Sequence, residues 1–279
     1  MRWLYLLPAL ILLMGCPLTP GQTPRDYNVG TEGLEISFAR SSPPDEIFEE
    51  QDFTVFLKLR NKGASNITYL HALLNYDKLY LEEQQVDRGF VLLDSIQEFI
   101  GSGRKANLQE AMPGKGESNP WGSETYIDYQ MRTKKLAGQM QQPTTRLTAV
   151  ACYNYRTVFT EEVCIERGPQ TDYEVRPCTR QDAVYSAGQG APVGVTKLES
   201  NYNSDGESVK PYFNIYVENL NTGTVVNPEK ISDVCTGDKI EKSEWHTVKV
   251  RAELSGEPMD CGSGELNINT QYPFIKCEA

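Results

Sequence analysis

FTVFLKLRNKGASNI (Phe53–Ile67) decides the reading of this chain, because a later stretch, FNIYVENLNTGTVVN (Phe213–Asn227), repeats its design. Each runs alternating apolar residues into an asparagine and follows it with a glycine-containing turn. Alternation of period two marks a strand with one buried face, since successive side chains point to opposite sides of a sheet. Setting Asn61 on Asn219 places Val55, Leu57 and Leu59 on Phe213, Ile215 and Val217, so the two buried faces fall in register. The match extends upstream, where Leu34 precedes Asn61 and Val193 precedes Asn219 at separations that differ by one residue. Agreement in both face and spacing predicts two copies of one antiparallel β-sandwich, each with its own core.

Other runs alternate in the same way. Leu34, Ile36 and Phe38 oppose Glu35 and Ser37; Leu147, Ala149 and Ala151 form a second set; Val248, Val250, Ala252 and Leu254 form a third, and helical periods are few. The strand near Leu147 reads as the counterpart of the one near Val248, yet lies much farther past its asparagine, so the first unit carries a long insertion. Part of it is IGSGRKANLQEAMPGKGESNPWGSE (Ile100–Glu124). A loop of that length is usually functional or disordered. It reads either as surface decoration or as a recognition surface centred on Trp121.

The stretch EGLEISFARSSPPDEIFEEQDFTVFLKLRNKG (Glu32–Gly63), with its F-x-V-x-L-x-L-x-N-x-G ending, resembles the immunoglobulin-type repeat domains of prokaryotic surface proteins, the cell-adhesion-related stalk domains among them. It is also similar to archaeal surface proteins in which an Ig-like pair precedes a Cys-rich tail. The resemblance implies an all-β fold class: two tandem immunoglobulin-like β-sandwich domains after a signal peptide and flexible tether. The expected boundaries are a signal peptide over 1–15, a lipid-anchored tether over 16–33, and a first sandwich over 34–168 with an insertion at about 96–143. A connector over 169–188 and a second sandwich over 189–279 follow.

The chain begins MRWLYLLPALILLMGC (Met1–Cys16), one arginine followed by an apolar run too short for a spanning helix, which takes about 20 residues. That is the pattern of a secretory signal. Its end, Leu13-Met14-Gly15-Cys16, resembles the lipobox of prokaryotic lipoproteins, which implies that Cys16 is lipidated and becomes the N-terminus. More than one acyl or ether-linked chain then holds the protein stably on a membrane. PLTPGQTPRDYNVGTEG (Pro17–Gly33) has a linker's composition. The expected localisation is extracytoplasmic, anchored to the cell membrane.

The whole chain has 279 residues, with 39% hydrophobic and 10% aromatic side chains, which excludes wholesale disorder. Lys plus Arg number 27 against 38 Asp plus Glu, for a net charge of −11. An acidic chain without a basic block excludes nucleic acid as a partner.

Apart from Cys16, the cysteines are Cys152, Cys164, Cys178, Cys235, Cys261 and Cys277, an even set that reads as a disulfide framework in an exported protein. Six cysteines leave 15 connectivities open. ACYNYRTVFTEEVCI (Ala151–Ile165) reads as a hairpin that sets Cys152 opposite Cys164; short loops then favour Cys261 with Cys277 and Cys178 with Cys235. No cysteine pair has C-x-x-C spacing and neither histidine lies near two cysteines, so no metal site is expected.

Asn201, Asn203, Asp205 and Gly206 imitate the start of a calcium loop, but Tyr212 at the twelfth position lacks the carboxylate, and a polar turn accounts for them. Asn66-Ile67-Thr68 is a glycosylation sequon just past a turn. His71 and His246 read as packing or surface residues, and G-x-S-x-G, H-E-x-x-H and phosphate-loop spacings are missing. Tyr153 and Tyr155 share a face and Tyr216 points outward, which suits cross-strand stabilisation or surface recognition. No catalytic residue or cofactor is assigned.

These readings lead to an expected lipid-anchored cell-surface protein acting as a non-enzymatic binding, adhesion or envelope-structural module, with a surface protein or glycan as partner. One alternative is a subunit of a surface filament, pilus or secretion assembly built by edge-strand pairing. Another is an extracytoplasmic enzyme or solute-binding lipoprotein, although the alternating helix and strand pattern of a two-lobed binder is missing.

Overall fold

The computed structural model describes residues 26–85, 112–138, 143–165, 178–179, 181–204 and 209–279. The signal peptide, Cys16, most of the tether, the first part of the expected insertion and Asp205 with Gly206 lie outside the described residues.

The first unit comprises β1 (Leu34–Phe38), β2 (Asp52–Asn61), β3 (Leu70–Asn75), β4 (Leu81–Gln85), β5 (Glu124–Thr133) and β6 (Thr148–Tyr153). Four of these form an antiparallel sheet in the order β1-β2-β5-β4, and β3 pairs with β6 separately. Val55, Leu57 and Leu59 of β2 and Ile127, Tyr129 and Met131 of β5 are buried in one cluster with Leu70, Ala72 and Leu74 of β3. The sheet's inner face therefore packs on the β3–β6 pair, as alternation requires of a half-buried strand. Tyr129 crosses this core and donates its hydroxyl to the Ala72 carbonyl at 3.0 Å, which gives its buried polar end a partner.

The second unit comprises β7 (Ala183–Val184), β8 (Val193–Ser204), β9 (Val209–Asn219), a short helix α1 (Ile231–Thr236), β10 (Thr247–Lys249), β11 (Glu253–Leu254), β12 (Glu257–Pro258), β13 (Glu265–Asn267) and β14 (Phe274–Glu278). Its main sheet runs β14-β9-β8-β7, while β10–β13 and β11–β12 are two-stranded. Val217, Leu266, Ile268, Ile275 and Cys277 form a separate core. The molecule is thus all-β in architecture, with several small antiparallel sheets.

The two asparagines that align in sequence do the same work in space. Leu34 pairs with Asn61 across β1–β2, and Val193 pairs with Asn219 across β8–β9. Asn61 Oδ1 accepts from the Gly63 N–H at 3.2 Å while Nδ2 donates to the Ser65 carbonyl at 2.9 Å. Asn219 Oδ1 likewise accepts from the Asn221 N–H at 3.2 Å, and its Nδ2 donates to the Gly223 carbonyl at 2.7 Å. The amide mimics backbone and closes the turn that ends the strand. Past the turn the copies diverge, one entering β3 and the other a 3₁₀ turn and α1.

Several expectations need correction. Residues 124–133, assigned to the insertion, are the strand β5, bonded to β2 on one side and β4 on the other. The strand after Leu147 pairs with the earlier β3, whereas the strand at Thr247 pairs with the later β13, so the two are not counterparts. The run from Val248 to Leu254 is broken between β10 and β11. Part of the connector is strand β7 of the second sheet. Tether residues 26–33 are built into the folded body: Gly30 donates to the Ala187 carbonyl at 2.8 Å and accepts from the Gly190 N–H at 2.7 Å.

The disulfides are Cys152–Cys235, Cys164–Cys178 and Cys261–Cys277. The expected Cys152–Cys164 and Cys178–Cys235 pairs do not form, because no hairpin follows β6. Asn154 Oδ1 instead accepts from the Thr68 and Tyr69 N–H groups at 3.0 and 2.7 Å, and the chain then crosses to the second unit. There the Tyr155 hydroxyl donates to the Gly190 carbonyl at 3.1 Å and Thr157 Oγ1 donates to the Val193 carbonyl at 2.5 Å. Partial burial pushes the Tyr155 phenol up to about 12. This crossing leaves Cys152 beside Cys235 of α1, and the bridge between them ties the two units together.

The buried Asn61 also donates to the Met112 carbonyl at 2.8 Å, a bond with no equivalent at Asn219 among the described residues. Asn61→Ala should cost about 2–3 kcal/mol by stripping the buried Gly63 N–H and the Ser65 carbonyl of the partners the amide supplies, while Asn219→Ala, in a more exposed turn, should cost about 1 kcal/mol or less. Equilibrium denaturation of the two variants measures the difference; equal losses would contradict the assignment.

Candidate functional site

The polar phase of β2 carries Thr54, Phe56, Lys58 and Arg60, and that of β5 carries Glu124, Tyr126 and Asp128. Cross-strand register sets Phe56 opposite Asp128, Lys58 opposite Tyr126 and Arg60 opposite Glu124. Their side chains interlock. Lys58 Nζ lies 2.8 Å from Glu124 Oε2, and the Tyr126 hydroxyl donates to Glu124 Oε1 at 2.8 Å. Both contacts hold the Glu124 carboxyl below the ordinary carboxylate range, and the hydrogen bond to Glu124 raises Lys58 above its usual value. Lys58 Nζ also stands 6.0 Å from the Tyr126 ring centroid.

Above this face sits the loop that bears Trp121. Arg60 donates through Nε and Nη2 to the Trp121 carbonyl at 3.2 and 3.0 Å. Ile67 and Met112 exchange two backbone hydrogen bonds of 3.1 Å, the Lys115 N–H reaches the Gly63 carbonyl at 2.7 Å, and Asn66 Oδ1 accepts from the Gly114 N–H at 3.1 Å. Gly122 adopts φ +75°, and a Cβ there would stand 1.7 Å from the Asn61 carbonyl oxygen, so only glycine lets the loop lie against the end of β2. The backbone of this loop is therefore clamped, yet Trp121 is 70% exposed, and Tyr126 and Phe56 are 48% and 43% exposed. Large rings held in water on a fixed backbone bind at low entropic cost.

Chemically, the face offers aromatic surface flanked by a cation, a guanidinium and a carboxylate. That suits stacking and hydrogen-bonded recognition on an open surface. Of the residues singled out in sequence, Trp121 belongs to this face, and Asn66 lies exposed at its margin, its Oδ1 engaged by Gly114. The rest are scattered. His71 is buried in β3 opposite Cys152, and His246 takes φ +59° just before β10. Asn201 and Asn203 lie in extended ladder positions of β8 opposite Tyr212 and Lys210. Tyr153 and Tyr155 make an edge-to-face pair at 6.0 Å, and Tyr216 packs on Phe274 at 5.2 Å. Among the described residues no group of three His, Cys, Asp or Glu is placed to hold a metal ion, and no helix is long and apolar enough to cross a membrane.

A depression lined by Cys164, Ile165, Ser200 and Phe213 encloses about 10 Å³, roughly one water molecule's worth. Sequence reasoning missed Phe56, Lys58, Arg60, Glu124 and Tyr126. The legible signal was Phe56, an aromatic residue in the outward phase of β2. Compared with known proteins, the chain matches no family model, no curated sequence and no solved structure.

The Glu124 shift has a definite sign. A carboxyl held low in the folded state stabilises it above the ordinary carboxylate range, and that contribution is lost as pH falls through the folded value. Lys58→Met should move the Glu124 titration upward toward an ordinary carboxylate, read by carboxyl-carbon NMR. No movement would mean that the pair is not formed in solution.

Proposed function

We propose that this chain is a lipid-anchored, extracytoplasmic binding module of two immunoglobulin-like sandwiches, non-enzymatic, that recognises a cell-surface protein or glycan through the Trp121 face. One observation carries the reading: three exposed rings, Trp121, Tyr126 and Phe56, stand on backbone fixed by hydrogen bonds. Such anchors dominate interface energetics when a partner buries them. The sandwich reading is supported by each unit's combination of a four-stranded antiparallel sheet with smaller sheets around a core of its own. Three disulfides support an oxidising compartment. The lipobox-like Leu13-Met14-Gly15-Cys16 and the resemblance to prokaryotic surface repeats support anchoring at the membrane.

Titration of the purified protein onto intact cell envelopes tests the face. Trp121→Ala should weaken binding by a factor of about 10 or more, as the loss of a hot-spot side chain does, with unchanged thermal stability. Binding that is indifferent to Trp121→Ala and Tyr126→Ala together removes the face from the reading. The anchor is tested separately, because Cys16→Ser should shift the protein from the membrane to the soluble fraction; an unchanged distribution contradicts lipidation.

A further inference from the structure

We infer that the lipid anchor holds the protein at the joint between the two units, which makes the joint its membrane-proximal surface. The inference rests on the proposed anchor at Cys16, and the observations behind it lie in residues 27–33. This segment enters the fold between the units and touches both. The Gly30 carbonyl accepts from Gly190 and Ala191, the Thr31 carbonyl accepts from Asn221 Nδ2 at 3.0 Å, and the Gly33 carbonyl accepts from the Lys62 N–H at 2.8 Å. Glu32 and Lys62 form an ion pair at 3.2 Å. A Cβ on Gly188 would stand 2.4 Å from the Gly30 carbonyl oxygen, and one on Gly190 would stand 3.1 Å from that of Tyr27, so the backbones meet at glycine distance.

Equivalent ends of the two units converge on this segment. The turn after β2 binds the turn before β8 directly, with Ala64 N–H to the Gly190 carbonyl at 2.7 Å, and the Tyr155 hydroxyl bridges the two, accepting from Ser65 N–H and donating to the Gly190 carbonyl, both at 3.1 Å. The turn after β9 reaches the same segment through Asn221. From there β2 and β9, of 10 and 11 residues, run away from the joint. Their opposite ends, at Asp52 and Val209, therefore lie about 30 Å along the strands from it.

About 10 residues separate Cys16 from Asp26, and fully extended they span at most about 36 Å. A lipid on Cys16 thus keeps the joint within that distance of the bilayer, while neither far end is tethered.

The chain from Cys16 onward, coupled through the Cys16 thiol to a maleimide lipid in phosphatidylcholine vesicles, tests the arrangement. Supplying the lipid chemically makes the result independent of whether a cell modifies Cys16, so failure here and failure of the fractionation test are distinct. Azide-bearing residues at Gly223 in the joint, Phe48 beside the far end of the first unit and Ala279 beside that of the second accept a donor dye in turn. Energy transfer to an acceptor lipid should be at least about twofold stronger from 223 than from either end, given a strand length of about 30 Å between them. Stronger transfer from 48 or 279 overturns the inference. A 20-residue Gly/Ser spacer placed after Pro24 should erase the difference; an order that survives the spacer means that the protein adsorbs by its own surface, which also overturns it.

Discussion

The carboxamide of Asn61 is the constraint on which the Trp121 end of the first unit depends. It is fully buried at the end of β2 and satisfies three backbone groups at once, those of Gly63, Ser65 and Met112. The first two close the turn that meets the second unit. The third fixes the start of the loop that carries Trp121. A charged or apolar residue of similar size lacks the paired donor and acceptor, and the Gly63 N–H and Ser65 carbonyl left without their partner are costly. One side chain therefore couples the strand end, the joint and the proposed recognition loop.

The joint is built from close backbone approach more than from side-chain packing. Gly63 marks it most clearly: a Cβ there would stand 1.8 Å from the Tyr155 hydroxyl and 2.6 Å from the Gly190 carbonyl. Carbonyl and N–H groups of three segments then bond across it, and Cys152–Cys235 closes a loop of 83 residues over it. A bridge of that span removes much of the unfolded chain's freedom, typically worth about 2–4 kcal/mol. Two small cores, each modest alone, gain from being joined in this way.

How much of this was legible in sequence depended on how local the signal was. β1 and β2 were readable because their alternation is strong, and the repeat was readable because Asn61 and Asn219 each sit at the end of such a run. β5 alternates as well, with Ile127, Tyr129 and Met131 inward, but it follows a Gly- and Pro-rich stretch whose loop composition masks it in sequence. The hairpin expected between Cys152 and Cys164 failed for a non-local reason, since Tyr155 and Thr157 find their partners in the second unit. Nothing within those residues announces that crossing.

The sequence alone determined the all-β class, the strand–asparagine–turn pattern that recurs at Asn61 and Asn219, and the presence of a disulfide framework. These are properties of periodicity, of an amide's hydrogen-bonding capacity and of cysteine parity, which are set within a few residues or by composition. Only the tertiary structure decided which cysteines meet, that β5 lies between β2 and β4, that residues 26–33 belong to the joint, and that Arg60 clamps the backbone of the exposed Trp121 beside the outward face that carries Phe56 and Tyr126. The physical reason is that each of these depends on groups distant in the chain finding complementary backbone donors and acceptors, and local pattern carries no record of which distant group will be there.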